Sequence, residues 1–224
     1  MRFLRRVHAE WLLLAPRVTR TRLGLALLSL GLVLMWLRTR GLDPLAVVLQ
    51  AGALGAVMGV RYAAAPGDSD RAFFVTALTH PTTPLAIATG RWLGAIIPAL
   101  GLVIVMTAVV GWETVRAGAG IAAAAAVGSC ALAAVLAFGN AATIPVFLIM
   151  AAAGAIPPER LADLARPGVV RLAAASAFEL GPALWHYRDI AAGSLLAITH
   201  SLAWTGLGVL LASGLISRFR TTAE

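Results

Sequence analysis

Residues 117–158 read AGAGIAAAAAVGSCALAAVLAFGNAATIPVFLIMAAAGAIPP and contain no charged side chain. A helix that crosses a bilayer needs about 20 apolar residues, so these 42 residues are too many for one crossing. The stretch is therefore expected to fold back on itself. Gly139-Asn140 is the best turn signal within it. The sequence thus predicts two membrane spans here, near residues 117–138 and 143–156.

The composition of the whole chain agrees with a membrane location. Of the 224 residues, 60% are hydrophobic and 12% are charged, whereas a soluble domain has about 45–50% apolar and about 25% charged residues. So few charges do not cover a soluble globule of this size. The composition excludes an ordinary soluble enzyme, a disordered chain and a fibrous protein, and we expect an all-α polytopic membrane protein.

Four further apolar stretches bring the prediction to six transmembrane helices. They lie at residues 23–37, 44–60, 92–112 and 191–216. The six spans form a single transmembrane domain over residues 1–224, with two long polar segments at 61–91 and 157–190. An even number of spans places both termini on the same side of the membrane.

The arginines set the predicted orientation. With the N-terminus inside, the inner segments hold 11 of the 18 basic residues, and four of the other seven lie in the charge-balanced 157–190 segment. The positive-inside rule then favours a multi-pass protein of the bacterial inner membrane with both termini and residues 61–91 in the cytoplasm. The net charge of +8 is explained by this distribution, so we expect no nucleic-acid partner.

The N-terminal residues 1–22 are predicted to hold an interfacial helix. In residues 3–14 an apolar stripe recurs at helical spacing, with the arginines away from it. The stripe consists of Phe3, Leu4, Val7, Trp11 and Leu14. Such a helix lies in the membrane surface and contacts lipid. A cleaved signal peptide is the alternative, but arginines return at Arg17 and no small-residue cleavage site follows the short apolar run.

The residue types exclude several kinds of catalysis. All 18 basic residues are arginine, whereas a P-loop and a Schiff-base enzyme each need a lysine. The only cysteine, Cys130, allows no intrachain disulfide. Neither a Gly-x-Ser-Gly motif nor a His-Glu-x-x-His pair of an intramembrane protease is present. We therefore expect no catalytic residue, no metal site, no cofactor and no enzyme activity of this chain.

The cytoplasmic segment 61–91 is predicted to contain a short amphipathic helix. Phe73, Phe74, Ala77 and Leu78 recur at helical spacing and form an apolar face. Pro81 disfavours helix at the residue before it and so ends this helix. The segment would present two adjacent aromatic side chains on the cytoplasmic side.

A second, longer helix is predicted to begin at Thr83-Pro84, because threonine is a good N-cap and proline suits the first helical position. Running into the third span, it would be about 43 Å long, which exceeds a hydrocarbon core of about 30 Å. Its first turns are therefore expected to protrude into the cytoplasm.

These features resemble the membrane subunit of a type-2 ABC exporter. Members of that family have a short helix ending in an apolar-Leu-x-x-Pro step, followed by Gly-Lys/Arg-x-x-Gly at the entry to the third span. This chain has ALTHP at 77–81 and GRWLG at 90–94. Family members commonly carry a Gly and a Glu before the proline step, where this chain has Ala72 and Val75.

The resemblance implies that the segment is a coupling helix that docks on a separate ABC ATPase subunit. It also implies a second permease copy or homologue across a two-fold axis, a cargo path between the two, and export as the direction of transport. The residues implied in ATPase coupling are Phe73, Phe74, Ala77, Leu78, His80, Pro81 and Arg91.

Candidate cargo-path residues are the polar side chains Asn140, Glu179 and His200. Asn140 fits a turn residue better than a cargo ligand, and His200 fits a polar position in the last span that faces other helices. Glu179 lies eight residues from Arg171; the pair would lie either on a solvated face or on a short helix that re-enters the membrane, as in the exporter family. A helix would place His186 and His200 about 21 Å apart. Histidine pairs at this spacing on two helices can hold two haems, but no second helix offers a matching pair, so haem ligation is not expected.

Two other interpretations are left open by the sequence. A non-catalytic structural subunit of a respiratory or photosynthetic assembly would need no motif at all. The haem-exporter membrane subunit of cytochrome c maturation is a variant within the exporter family, although the long 157–190 segment fits it less well.

The orientation can be tested by cysteine labelling. In a Cys130-free chain, Ser69→Cys is expected to be protected from an impermeant thiol reagent in whole cells, and Asp163→Cys to react, because the arginine bias places residue 69 inside. Lysed cells provide the control for reactivity. Labelling of residue 69 from outside would contradict the predicted orientation.

Overall fold

The computed structural model describes residues 3–9, 11–12, 22–64, 83–153 and 181–221. Within these ranges all regular structure is helical and no strand occurs. The main helices are α1 Leu23–Thr39, α2 Pro44–Gly59, α3 Pro84–Val110, α4 Thr114–Phe138, α5 Asn140–Ala153, α6 Leu184–Arg188 and α7 Leu195–Thr221. A π-helical turn, Val60–Ala64, continues α2, and a 3₁₀-helix, Asp189–Ala192, precedes α7.

Four of the helical segments are long and apolar enough to cross a membrane. They are Pro44–Tyr62, Pro84–Val110, Thr114–Phe138 and Leu195–Arg218. The all-α class and the membrane character predicted from composition are therefore supported. Helix α1 is apolar but shorter, at 17 residues, and α5 has 14 residues. The count of six spans stays a prediction.

Two helices begin with the same chemical device, a polar N-cap followed by proline. The Asp43 carboxylate accepts a hydrogen bond from the Ala46 N–H at 3.2 Å, and the Thr83 hydroxyl accepts one from the Ala86 N–H at 3.4 Å. Each bond satisfies a backbone donor that has no partner within the helix. The predicted start of the long helix at Thr83-Pro84 is confirmed.

The uncharged stretch folds back where its sequence predicts. Gly139 separates α4 from α5 with a φ of +81°, a conformation that side chains with a Cβ rarely adopt. Its N–H donates to the Val135 carbonyl at 2.8 Å and closes the last turn of α4. Asn140 is the first residue of α5, so a single residue, Gly139, separates the two helices.

The last helix begins later than the sequence predicts. Instead of a span from residue 191, the chain forms the short helix α6 and the 3₁₀-helix, turns at Gly193 with a φ of +75°, and only then enters α7 at Leu195. The left-handed conformation of Gly193 ends the 3₁₀-helix, so residues 191–193 belong to the turn and not to the long helix. The polar turn therefore remains outside the long apolar helix.

Helix α4 lies at the centre of the described bundle and packs against α2, α3, α5 and α7. The contacts of Gly52 with Gly120 and of Ala56 with Gly128 show that α2 and α4 run in the same direction. Hydrogen bonds from α7 and α4 pair residue 201 with 122 and residue 204 with 129, so α7 is also parallel to α4. Helix α3 runs opposite to all three, as Gly59 lies on Ala95 and Gly55 on Ala99.

Glycines allow this bundle to pack backbone against backbone. A Cβ added at Gly52 would collide with the carbonyl of Gly120, and one at Gly59 with the carbonyl of Ala95. A Cβ at Gly208 would collide with Ser129. Small residues at helix contacts are the usual means of association in lipid, where the hydrophobic effect does not hold helices together.

The N-terminal segment is helical over residues 3–9 and 11–12. Val7 is buried, whereas Phe3 and Leu4 are exposed at 40% and 70%. The His8 and Trp11 rings lie 5.7 Å apart, one helical turn from each other. The helical part of the prediction agrees with this segment, and its position in the membrane surface stays a prediction.

We predict that Gly52→Ala destabilises the bundle by about 1–3 kcal/mol, because its Cβ meets main-chain atoms that do not yield. The matched control is Gly206→Ala on α7, where nothing lies within 4 Å of the new atom and helix propensity alone should stabilise by about 1 kcal/mol. Thermal unfolding in detergent measures both. Equal midpoints for the two variants would contradict the close approach of α2 and α4.

Candidate functional site

The predicted site residues divide between described and undescribed parts of the chain. Six of the seven residues predicted for ATPase coupling, and the candidate cargo-path residue Glu179, lie outside the described residues. The six are Phe73, Phe74, Ala77, Leu78, His80 and Pro81. Arg91, Asn140 and His200 are described, on α3, α5 and α7.

The two helix ends that flank the coupling segment lie at the same end of the bundle. Because α2 and α3 are antiparallel, the last turn of α2 lies beside α3, where Gly59 approaches Ala95. The start of α3 at Pro84 lies about three turns further toward the same end of the bundle. The chain leaves α2 through the π-helical turn Val60–Ala64. Single π-turns in α-helices are rare and frequently occur at functional sites.

Arg91 is buried in the bundle rather than displayed on its surface. Only 1% of the residue is exposed, and Gly90 and Gly94 on the same helix are buried as well. Next to it, the Trp92 indole N–H donates to the Ala125 carbonyl of α4 at 3.1 Å. The GRWLG stretch therefore fixes α3 against α4, and a coupling role of Arg91 would act through that packing.

The polar turn before α7 brings two histidines together. The rings of His186 and His200 have centroids 4.9 Å apart, and the Tyr187 ring lies 5.7 Å from His200. A single continuous helix would place the two histidines about 21 Å apart. The chain instead reverses at Gly193 and brings them together. The Gly193-Ser194 pair is a turn signal that sequence reasoning missed inside the predicted span.

His200 is hydrogen-bonded to its neighbour on the next turn of α7. The Trp204 indole N–H donates to its Nε2 at 3.0 Å. His200 faces other helices, as the sequence interpretation states. It forms part of an aromatic cluster of His186, Tyr187, His200 and Trp204.

Hydroxyl groups join α4 to α7 next to this cluster. Ser201 donates to the Ala122 carbonyl at 3.0 Å, and the Ser129 hydroxyl lies 3.2 Å from the Trp204 carbonyl. Both serines are buried. Hydrogen bonds of this kind contribute about 0.6 kcal/mol each in membrane bundles. They therefore determine the register between α4 and α7 more than they contribute to the stability of the bundle.

Asn140 and His200 are not brought together. Asn140 starts α5 near the end of the bundle that carries the π-helical turn, whereas His200 lies near the opposite end, beside the turn that precedes α7. The Asn140 Oδ1 atom is buried and accepts no hydrogen bond from the described residues. Within the described ranges, no group of three or more metal-ligating side chains occurs.

Comparison with known proteins yields no relative. No family model, no curated protein and no solved structure matches the chain.

Tyr187 gives the aromatic cluster a measurable pH dependence. The residue is fully buried and its hydroxyl has no hydrogen-bond partner among the described residues. Burial, and to a smaller extent the nearby Cys130 thiol, raises the pKa of the Tyr187 phenol well above its usual value. The folded protein therefore keeps the Tyr187 proton at pH values where the unfolded chain has released it.

The contribution of Tyr187 to the free energy of unfolding is fully present below the unfolded pKa of about 10. It is lost as the pH rises above that value, because the unfolded chain then releases the proton that the folded protein keeps. The chain has two tyrosines, so in Tyr62→Phe all phenolate absorbance reports Tyr187. We expect this variant to show no phenolate absorbance at moderately alkaline pH until the protein unfolds. Reversible ionisation in the folded state near the usual tyrosine pKa would contradict the burial.

Proposed function

We propose that the chain is the membrane subunit of an ATP-driven exporter and works with a separate ATPase. The observation that carries the proposal is the geometry around residues 65–82, which contain the ALTHP sequence. Both flanking helix ends lie at one end of the bundle, and the segment connects a π-helical turn to the capped start of α3. A partner that binds this segment would act on both helices.

The charges support a cytoplasmic location for that end. Among the described residues it carries Arg22, Arg61, Arg91 and Arg218 and no acidic side chain. All three described acids, Asp43, Glu113 and Asp189, lie at the opposite end. There Asp43 pairs with Arg188 at 3.0 Å and Glu113 with Arg116 at 2.7 Å. The excess of arginine at the first end favours the inner face of the membrane.

Helix α3 is suited to transmit movement. Its 27 residues span about 40 Å, which exceeds the hydrocarbon thickness of about 30 Å. Backbone contact at Gly59 and the Trp92 hydrogen bond tie its cytoplasmic half to α2 and α4. Force applied before Thr83 would thus move α3 as a lever against the centre of the bundle.

A dimer is part of the proposal. Only 22% of the most apolar window of α7 is buried within this chain, and large side chains on α1, among them Leu25, Leu32 and Trp36, are exposed. These faces are available to lipid and to a second permease copy. The cargo path would lie between copies. With no lysine, the chain has no P-loop, and ATP hydrolysis would belong to the partner.

The proposal is tested at the apolar face of the coupling segment. Burying an aromatic or leucine side chain contributes roughly 1.5–3 kcal/mol, so Phe74→Asp and Leu78→Asp are each expected to weaken ATPase binding at least about tenfold. Co-purification with the ATPase encoded beside this chain, and ATP hydrolysis by the pair, are the measurements.

Trp112→Asp is the matched control, because Trp112 is exposed at the opposite end of the bundle and should not contact the ATPase. All variants must insert and remain dimeric, which gel filtration establishes. If both coupling variants retain the ATPase, or if no ATPase binds the parent chain, the exporter proposal fails and a structural membrane subunit becomes the better interpretation.

A further inference from the structure

Helix α2 continues into a turn with a different hydrogen-bond pattern. In the π-helical turn Val60–Ala64, each N–H bonds to the carbonyl five residues earlier, whereas in an α-helix the partner carbonyl lies four residues earlier. Such a turn accommodates about one extra residue. A change of this turn to α-helix would therefore shift the chain that follows it by about one residue, which is a rotation of about 100°.

The local sequence of this turn favours an ordinary α-helix. Residues 60–64 read VRYAA and contain neither glycine nor proline, the two residues that most disfavour an α-helix. Alanine and arginine are among the best helix formers. The π-helical pattern is therefore imposed by packing and not by the local sequence. A disagreement of this kind between local preference and tertiary structure is typical of functional sites.

Packing holds the chain firmly just before the turn and less firmly after it. A Cβ added at Gly59 would collide with the Ala95 carbonyl, so the backbones of α2 and α3 are in contact there. Val60, the first residue of the turn, is completely buried. Arg61 is exposed and Tyr62 is only partly buried. A change of pattern within the turn would thus leave α2 in place and rotate the residues after Val60.

The turn lies beside the part of α3 that carries the GRWLG stretch. Because Gly59 lies on Ala95 and the two helices are antiparallel, the next turn of the chain is level with Arg91. The π-helical turn packs mainly against α3 and also contacts α4. Arg91 is buried, and the Trp92 indole is hydrogen-bonded to α4. A rotation in the turn would therefore alter the packing around the stretch that fixes α3 to α4.

We propose that Val60–Ala64 is a two-state joint, π-helical in this structure and α-helical when the ATPase partner has bound ATP. This inference rests on the proposed function and assigns a moving part to its coupling segment. A partner shifts such an equilibrium when it binds one of the two states more tightly. Here the partner would work against the packing that imposes the π-helical pattern, and the helix preference of the local sequence would assist it.

Distances between spin labels measure the rotation. In a Cys130→Ser chain, one label is placed at Phe138, which is exposed at the end of α4. The second label is placed at Ala64, the last residue of the joint, or at Met58 as the matched control just before Gly59. The labelled chain is diluted with unlabelled chain, so that only distances within one chain are measured by double electron–electron resonance.

We expect the Ala64–Phe138 distance to change by about 5–10 Å when the ATPase and a non-hydrolysable ATP analogue are added, because a rotation of about 100° carries a label around the helix axis. The Met58–Phe138 distance should stay within about 2 Å of its initial value, since the joint lies after Met58. A rigid movement of the whole of α2 would change both distances together.

Deletion of Ala63 gives a second, independent test. It removes the extra residue of the π-helical turn and leaves Ala64 close to its original orientation, so the turn becomes α-helical without a second state. We expect the initial Ala64–Phe138 distance to be kept, and both its response to nucleotide and the stimulation of ATP hydrolysis to be lost. Ala63→Ser keeps the number of residues and should respond like the parent chain.

The outcomes separate this inference from the proposed function. If the parent chain stimulates ATP hydrolysis but the Ala64–Phe138 distance does not change, or changes together with the Met58–Phe138 distance, the joint is wrong and the exporter proposal stands. A deletion variant that responds like the parent would also contradict the joint. If no ATPase binds the parent chain, the exporter proposal fails and the joint fails with it.

Discussion

Close approach of helix backbones around α4 is the constraint on which the rest of the structure depends. In lipid, apolar side chains gain little by leaving a medium as apolar as themselves, so helices associate through packing and hydrogen bonds. Gly52, Gly59 and Gly208 each lie where a Cβ would collide with a neighbouring helix. These contacts fix the directions of α2, α3 and α7 relative to α4. They also place the last turn of α2 and the first turns of α3 at the same end of the bundle.

The same packing separates the molecule into two ends with different chemistry. At one end, arginines lie around the π-helical turn and the start of α3, and none of the described acidic residues lies at that end. At the other, Asp43 and Glu113 are paired with arginines, and the polar turn places His186 and Tyr187 against His200 of α7. Events at the basic end would reach the histidine cluster only through the long helices. An exporter driven from the cytoplasm requires a connection of this kind.

The sequence predicts the elements that local chemistry controls and misses those that tertiary contacts decide. Thr83-Pro84 and Gly139 work through capping and backbone conformation, and both appear where expected. The proximity of His186 to His200 depends on a chain reversal at Gly193. This reversal lies within a stretch whose apolar composition predicts a single span. The burial of Arg91 results from the packing of α3 against its neighbouring helices. The sequence places Arg91 in a Gly-Arg-x-x-Gly motif, but no sequence pattern reports which helices pack around it.

The central claim is that residues 65–82 couple this chain to an ATPase. The most direct measurement is the ATP hydrolysis rate of the ATPase encoded beside this chain, reconstituted in liposomes with the parent or with a chain whose residues 65–82 are replaced by a Gly/Ser linker of equal length. We expect the parent to stimulate hydrolysis several-fold and the replaced chain, although inserted and dimeric, not to do so. Equal stimulation by both chains, or none by the parent, would contradict it.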